Sequence, residues 1–391
     1  MIDFLSYINS KPMFYKKIDF ERFPRVFNFL KNKIPPLKNV TQIIGTNGKG
    51  STGRFLAQML IQKGANVGHY TSPHIFSFNE RFWLNGEDVS DEKLQQSHEI
   101  LQEILGEEIL NSLSYFEYAT LLMWILFLKC DYCVIEAGMG GEFDATSEFH
   151  KKLNLFTPVG LDHMAILGDS IEKISHTKFI KMVQNAILND KMNEISVKIA
   201  KEIAENKNAK LKFPAEILTS NEKAEISEYI KKQNLAKFQI SNLSLAFAGA
   251  KFWGAEPNLK TIGSLKIHGR MEQIAPNIFI DVGHNELAAK QIADHFAGQK
   301  ITLIYNAFLD KDAASIFKIL KPIIKKVEIF EYKSENRELI GKKIEDILHA
   351  QNINFNKFKK LENNEIYLVF GSFMLVENFL KFYGFKDEFS S

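Results

Sequence analysis

The sequence contains few cysteines and no long apolar run. Only Cys130 and Cys133 occur among 391 residues, which excludes a disulfide framework and predicts a reducing, cytoplasmic environment. The most apolar stretch, residues 119–128, is well short of the roughly 20 residues that a membrane helix needs. We therefore interpret it as a buried helix. The first residues never form a basic segment followed by an apolar one, so we expect no secretion signal.

Neither sign of charge dominates the chain. Lys and Arg (49) nearly balance Asp and Glu (47), so we expect no nucleic-acid or membrane partner. The two cysteines have a C-x-x-C spacing, but a zinc site would need a second pair of ligands. A thioredoxin-like motif would open a helix, whereas this segment runs into a predicted strand. We interpret the cysteines as two small residues beside a core strand.

The length and the pattern of apolar runs predict two α/β domains. Residues 1–266 alternate short apolar strands with helical stretches, which is typical of a mostly parallel sheet with helices on both faces. Residues 267–391 repeat this alternation and predict a smaller, Rossmann-like domain. Between the two, residues 257–269 lack periodicity and are typical of a linker. Residues 190–237 predict solvated helices around a short strand at residues 211–213.

The glycine-rich segment GTNGKGS, residues 45–51, lies between a predicted strand and a predicted helix. In that context its backbone N–H groups can turn toward phosphate oxygens, and the positive end of the helix faces the same point. Lys49 adds a positive charge for the terminal phosphates, and the hydroxyl of Ser51 or Thr52 could lie near a nucleotide-bound metal. The spacing departs from G-x-x-x-x-G-K-[ST], because only two residues separate Gly45 from Gly48 and because Gly50 follows the lysine.

Three further residues are candidates for a metal site beside the phosphate loop. Glu136 ends the predicted strand DYCVIE, and His163 follows another predicted strand. Because open α/β sheets bind ligands beyond the carboxyl ends of their strands, both could reach a cation at one edge. Lys178 resembles an ordinary helical lysine by pattern alone. A role beside a metal would require its positive charge to be removed.

These motifs, in this order, resemble the Mur ligase superfamily, and within it the folylpolyglutamate synthase and dihydrofolate synthase family. The resemblance spans nearly the whole chain. It is carried by GTNGKGS, TSPH, NERFWLNGEDVS, SYFEYAT, EAGMGGEFDAT, GLDHMAILGD, HGR, DVGHN and LVFGS.

The resemblance implies the ligands of the nucleotide and the metal. It assigns the ATP phosphates to Asn47, Gly48, Lys49, Gly50 and Ser51. Two Mg²⁺ ions would be held by Ser72, Glu136, His163 and Lys178, the last being carbamylated in this family. Carbamylation turns the ammonium into a carboxylate-like oxygen ligand. Further contacts to the nucleotide would come from Asn242, Arg270, Asp281 and His284.

The resemblance also implies the substrates. The pterin-bearing acceptor would lie near Lys17, Ile18, Asp19, Tyr115, Phe116, Glu117, Tyr118, Phe143, Asp144 and Ala145. The chain would be an ATP-dependent ligase that adds L-glutamate to dihydropteroate, and to reduced folates, through an acyl phosphate formed with Lys49, Glu136, His163 and Lys178. We expect a monomer whose domains close on the substrate.

Three segments depart from the family pattern. Glu142 stands where the family has arginine, and Ser147 stands where it has asparagine. Lys178 is followed by Phe179 and Ile180 where the family has alanine and glycine. These departures leave the ATP and metal positions intact and bear on substrate preference and on carbamylation.

Two alternatives remain at this stage. Another Mur-type amino-acid ligase would usually carry threonine or serine directly after the loop lysine and an extra N-terminal domain, and we expect neither from this sequence. A noncatalytic nucleotide-binding module would need the phosphate loop but not Glu136, His163 or Lys178. Substrate-dependent release of ADP distinguishes a ligase from such a module.

Overall fold

The computed structural model describes residues 3–11, 19–265, 267–334 and 337–385. These residues belong to two compact units. The first contains Met1–Val159, His163–Ser227 and Ile240–Leu265, and the second contains Gly160–Asp162, Glu228–Gln239 and Lys266–Ser391. Each unit is built around one mostly parallel sheet with helices, which confirms the predicted α/β class.

The sheet of the first unit has its parallel strands in the middle and a short antiparallel hairpin at one edge. The spatial order is β4-β3-β2-β5-β1-β6-β7-β8. The strands are β1 (Val40–Ile44), β2 (Val67–Tyr70), β3 (Phe82–Leu84), β4 (Glu87–Asp88), β5 (Tyr132–Glu136), β6 (Leu153–Phe156), β7 (Asn185–Leu188) and β8 (Lys210–Lys212). The neighbouring strands β2, β5, β1, β6, β7 and β8 are parallel, so their carboxyl ends lie at one edge of the sheet.

Helices cover the sheet, and its central strands are buried along their whole length, as a parallel sheet requires. The helices up to residue 265 are α1 (Phe4–Asn9), α2 (Arg22–Leu30), α3 (Lys49–Ile61), α4 (Asp91–Ile104), α5 (Glu107–Ser112), α6 (Tyr115–Leu126), α7 (Met164–Leu167), α8 (Ile171–Phe179), α9 (Glu194–Asn206), α10 (Pro214–Ile217), α11 (Ser220–Lys232) and α12 (Gln239–Phe252). Two short 3-10 helices span Phe78–Arg81 and Ala145–Glu148.

The apolar stretch at residues 119–128 lies largely in α6 and belongs to the largest core cluster, as the composition predicts. A capping box at Ser114 and Glu117 fixes where this helix begins. Among the described residues, the helices are too short or too polar to cross a bilayer. Cys133 lies in β5, and both cysteines are buried and form no disulfide.

The sheet of the second unit has the order β13-β12-β11-β14-β10-β9, with only β9 antiparallel to its neighbour. Its strands are β9 (Arg270–Ala275), β10 (Ile278–Asp281), β11 (Ile301–Tyr305), β12 (Ile324–Ile329), β13 (Phe355–Lys357) and β14 (Tyr367–Phe370). Its helices are α13 (Glu286–His295), α14 (Ala313–Leu320), α15 (Lys343–Ala350) and α16 (Phe373–Tyr383). The described part of residues 257–269 forms no helix or strand, and β9 begins at the next residue.

Candidate active site

The phosphate loop connects the central strand β1 to helix α3. Gly48 precedes the first helical residue in a left-handed conformation (φ +88°), which glycine adopts without steric cost. A Cβ atom on Gly48 would lie 2.4 Å from Oδ1 of Asn242, so this predicted nucleotide residue of α12 packs directly against the loop. Asn47 and Gly50 lie on either side of this turn. The N–H groups at the start of α3, which have no acceptor within the helix, therefore lie at the edge where β1 ends.

Lys49 is the first residue of α3, and its side chain bends back over the loop. Its Nζ donates a hydrogen bond to the carbonyl oxygen of Thr46 at 3.2 Å and lies 3.6 Å from Oε1 of Glu136. Glu136 ends β5, the neighbour of β1, and is 3% exposed. The structure thus brings the loop lysine and the strand-end carboxylate together.

Thr71 is a contact that the sequence reading missed. It follows β2, the other neighbour of β5, and its hydroxyl donates a short hydrogen bond to Oε2 of Glu136. The backbone N–H of Ser72 points at the same oxygen from 3.4 Å. The rule that selected Glu136 and His163 from strand ends also applies to Thr71, so it could have been found in this way.

His163 follows β6 and lies outside regular structure with positive φ (+50°), immediately before α7. Its side chain is exposed. β6 pairs with β1 on the side opposite β5, so the phosphate loop, Glu136 and His163 all follow adjacent strands. The left-handed conformation of a histidine is uncommon and is typical of functional sites.

Lys178 lies near the end of α8 and is 4% exposed. Its Nζ donates a hydrogen bond to the carbonyl oxygen of Gly45 at 2.8 Å. The turn that follows β5 packs against the same helix, because a Cβ atom on Gly141 would lie 2.7 Å from the carbonyl oxygen of Lys178. A lysine that the sequence pattern treats as an ordinary helical residue is thus in contact with the phosphate loop.

The donor chemistry at this edge fits Mg²⁺ that is bound in part by a nucleotide. No group of three or more His, Cys, Asp or Glu residues that could hold a metal occurs within the described residues. Mg²⁺ commonly takes one or two protein carboxylates and completes its shell with phosphates and water. Glu136, Ser72 and His163 offer such a partial set. The hydroxyl of Thr52, in the first turn of α3, is buried without a hydrogen-bond partner.

Two of the predicted acceptor-binding residues, Phe116 and Phe143, present aromatic rings. Phe116 packs over the turn after β5, since a Cβ atom on Gly138 would lie 2.6 Å from its ring. Phe143 is 56% exposed, and its ring centroid lies 4.5 Å from that of Phe20, which is also exposed. These aromatic rings offer apolar surface to a planar ligand.

Other members of that set are hydrogen-bonded to protein groups or buried. Glu117 accepts hydrogen bonds from Arg22 (2.8 Å) and from the backbone of Ser114 (2.7 Å), and the hydroxyl of Tyr118 lies 2.6 Å from Nδ1 of His98. Asp144 is buried, which raises the pKa of its carboxyl, and it accepts hydrogen bonds from the backbone of Met139 and Thr146. Ala145 is also buried.

Asp19 is exposed and lies 3.0 Å from Arg25. Lys17 and Ile18 lie outside the described residues.

In the second unit, the predicted nucleotide residues lie where β9 and β10 meet. Asp281 ends β10 opposite Arg270, and burial raises the pKa of its carboxyl. It accepts hydrogen bonds from the backbone N–H groups of Gly283 (2.7 Å) and Met271 (2.9 Å). Nε2 of His284 lies 3.2 Å from a carboxylate oxygen of Asp162.

Comparisons with known proteins agree on one kind of relative. The chain is 31% identical over 366 residues to a dihydrofolate synthase/folylpolyglutamate synthase of Buchnera aphidicola, covering 86% of each chain. A crystal structure of Helicobacter pylori folylpolyglutamate synthetase is 38% identical, covers 98% of each chain and superposes with a TM-score of 0.77.

A bifunctional folylpolyglutamate synthase/dihydrofolate synthase determined with Mn, AMPPNP and L-glutamate bound has the same fold. It superposes with a TM-score of 0.77 at 21% identity and covers 97% of each chain. No profile of a known protein family matches the chain.

Proposed function

Because the chain belongs to the folylpolyglutamate synthase/dihydrofolate synthase family, we propose that it is an ATP-dependent ligase that adds L-glutamate to dihydropteroate and to reduced folates. The observation that carries this proposal is the meeting of Lys49 and Glu136, 3.6 Å apart, at the start of α3. That point combines a helix N-terminus, a cation and a carboxylate that can ligate a metal, which are the groups that phosphoryl transfer needs.

The first step joins two anions. A carboxylate oxygen of the acceptor attacks the γ-phosphorus of ATP, the bond from that phosphorus to ADP breaks, and an acyl phosphate forms. Lys49 and the N–H groups at the start of α3 neutralise the charge on the phosphates. Bound Mg²⁺ adds electrostatic stabilisation of the transferring phosphoryl group. We assign its protein ligands to Glu136, Ser72 and His163.

The second step forms the amide. The neutral α-amino nitrogen of glutamate attacks the acyl carbonyl carbon, and inorganic phosphate leaves with the oxygen that once belonged to the carboxylate. The amine loses its proton in this step. Because water would hydrolyse the acyl phosphate, the site must exclude it while the amine binds. Phe116, Phe143 and Phe20 offer apolar surface for the pterin ring of the acceptor.

We assign the fourth protein ligand, an oxygen, to a carbamylated Lys178. The buried position of its Nζ, 2.8 Å from the carbonyl oxygen of Gly45, supports this assignment. A carbamate keeps one N–H, so it can still donate to Gly45 while its two oxygens carry a negative charge toward the phosphate loop. An ammonium at the same place would instead repel a divalent cation.

Product identification tests the proposed function. Purified protein is incubated with ATP, Mg²⁺, glutamate and either dihydropteroate or a tetrahydrofolate derivative, and the products are identified by mass. We expect dihydrofolate and ADP from the first mixture and a lengthened folate from the second. ATP binding without release of ADP that depends on the acceptor would overturn the proposal in favour of a noncatalytic module.

A further inference from the structure

Arg81 is a buried cation close to the candidate active site. It ends the 3-10 helix Phe78–Arg81 and is 4% exposed. Its Nε donates a hydrogen bond to Nδ1 of His74 at 2.8 Å. Its guanidinium carbon lies 5.3 Å from the ring centroid of Tyr115 and 5.4 Å from that of Phe78. The guanidinium is therefore enclosed by an imidazole and two aromatic rings.

None of these neighbours carries a negative charge. Burial and the charge of Arg81 lower the pKa of His74 to about 3, so the imidazole is a neutral acceptor. Within the described part of the chain, no carboxylate lies within 4.0 Å of Arg81. Arg54, which is buried to the same extent, faces Asp88 at 3.9 Å.

A buried arginine guanidinium keeps its positive charge, because it does not lose its proton in proteins. An ion in the interior without a counter-ion is destabilising, and contacts with two aromatic rings offset only part of that cost. Two parallel N–H groups of a planar guanidinium match the two oxygens of a carboxylate. The chemistry of Arg81 thus favours an anionic ligand from outside the protein.

Arg81 contacts residues next to the candidate metal ligand Glu136 and next to the candidate acceptor residue Phe116. Its carbonyl oxygen accepts a hydrogen bond from the backbone of Thr71 at 3.0 Å, and the hydroxyl of Thr71 donates to Glu136. On the other side, Tyr115 begins α6, and the next residue, Phe116, packs over the turn that follows Glu136. Arg81 is therefore linked to Glu136 through Thr71 and to α6 through the ring of Tyr115.

We propose that Arg81 binds the carboxylate of the acceptor substrate and orients it for phosphorylation. This inference rests on the proposed function. Dihydropteroate has a single carboxylate, attached to a benzene ring, so the ligand of Arg81 is the group that reacts. The guanidinium offsets part of the repulsion between that carboxylate and the phosphates of ATP. It also selects an acid over an uncharged analogue of the same shape.

Binding measurements with a matched pair of ligands test the role of Arg81. Calorimetry gives the dissociation constants of dihydropteroate and of its carboxamide for the wild type, for Arg81→Met and for Arg81→Lys. We expect the wild type to prefer the acid, and Arg81→Met to weaken acid binding by about 10- to 100-fold with little change for the amide. Arg81→Lys should fall between them, because it keeps the charge but loses the fork.

Thermal unfolding separates a binding role from a structural one. Arg81→Met should keep or raise the midpoint of the wild type, since it removes a buried charge without a protein counter-ion. Arg22→Met is the matched contrast, because it leaves Glu117, now 2.7 Å from the guanidinium of Arg22, without its cation. We expect that variant to lose stability. ATP affinity should be unchanged in Arg81→Met.

The inference would be overturned if Arg81→Met lost equal affinity for the acid and the amide, or lost no affinity for the acid. If Arg81→Met does not fold, the affinities of Arg81→Lys for the acid and the amide are compared instead. The inference requires that Arg81→Lys prefer the acid less strongly than the wild type does. Failure of the proposed function has a different signature. In that case the wild type itself would bind neither ligand, and the inference would fall with it.

Discussion

The ammonium of Lys49 lies 3.6 Å from a carboxylate oxygen of Glu136, and both side chains are largely buried, with 14% and 3% of their surface exposed. One residue begins a helix after the central strand, and the other ends the neighbouring strand. An ion pair with so little solvent around it is poorly screened, so the attraction between the two charges is strong. This pair marks the place where the triphosphate and its metal ion meet the protein in our proposal.

Replacing Lys49 tests its role in phosphoryl transfer. Lys49→Met should lower the rate of acceptor-dependent ADP release by roughly 100-fold or more, because the charge on the phosphates is no longer offset. Steady-state kinetics at saturating ATP measures this effect. Lys63→Met is the control, since Lys63 follows the same helix and its ammonium contacts the carbonyl oxygen of Trp253 and the ring of Tyr132. A Lys49→Met enzyme as active as that control would contradict the assignment.

The left-handed glycine of the loop gives a second prediction. Gly48→Ala should cost about 1 kcal/mol of backbone strain and also force Asn242 away, since the new Cβ would lie 2.4 Å from its side chain. Gly64→Ala is matched in conformation (φ +74°) but meets no atom within 4 Å. We expect both variants to lose stability in urea and only Gly48→Ala to lose ATP affinity. Equal ATP affinities would show that the packing of Asn242 against the loop is unimportant.

The sequence predicts the parts of this site that depend on local pattern. The strand, glycine loop and helix around Lys49 are encoded within a short segment, and Glu136 follows from a buried strand beside it. Contacts that depend on the path of a loop were not predictable in this way. Arg81 and His74 are only seven residues apart, but their pairing depends on how the loop before the 3-10 helix Phe78–Arg81 folds back, and nothing in the local pattern shows it.

Short antiparallel strands were missed for a related reason. β3 and β4 are three and two residues long, and β9 begins directly after the predicted linker. In such strands tertiary pairing outweighs intrinsic preference. The segments Gly160–Asp162 and Glu228–Gln239, which belong to the second unit, likewise carry no compositional signal. Lys178 was singled out through a family resemblance, because a helical lysine has no distinctive pattern.

Carbamylation of Lys178 can be observed without measuring activity. Protein equilibrated with isotopically labelled bicarbonate should give one carbamate resonance by carbon NMR, and Lys178→Arg should lack it. Lys151 is the appropriate control, because its lowered pKa, about 8, makes part of it neutral and chemically competent. The signal should persist in Lys151→Gln. A resonance that survives in Lys178→Arg and disappears in Lys151→Gln would show that Lys151 is carbamylated, which contradicts the assignment to Lys178.

Lys151 also predicts a pH dependence of stability. Burial, followed by the charge of Lys181, lowers the pKa of its amine from 10.5 to about 8. Below that value the folded and unfolded chains both hold the proton, and the buried charge is destabilising. Between about 8 and 10.5 only the unfolded chain holds it, so the free energy of unfolding rises with pH.

Lys151→Met should remove this contribution. We expect it to raise the free energy of unfolding near pH 7 by on the order of 2 kcal/mol. Loss of the hydrogen bond that Lys151 donates to the carbonyl oxygen of Ser147 reduces this gain. Its stability should also rise less between neutral and alkaline pH than that of the wild type. Urea titrations at several pH values measure both effects. Lys152→Met, at an exposed neighbouring position, should behave like the wild type.

The fate of one oxygen atom tests the account most directly. Dihydropteroate labelled with heavy oxygen in its carboxylate is converted with ATP and glutamate, and the released phosphate is analysed by mass spectrometry. Activation by phosphorylation predicts that each phosphate carries one labelled oxygen, because the acyl phosphate breaks between carbon and that oxygen. Phosphate without label, formed alongside dihydrofolate, would contradict an acyl phosphate at this site.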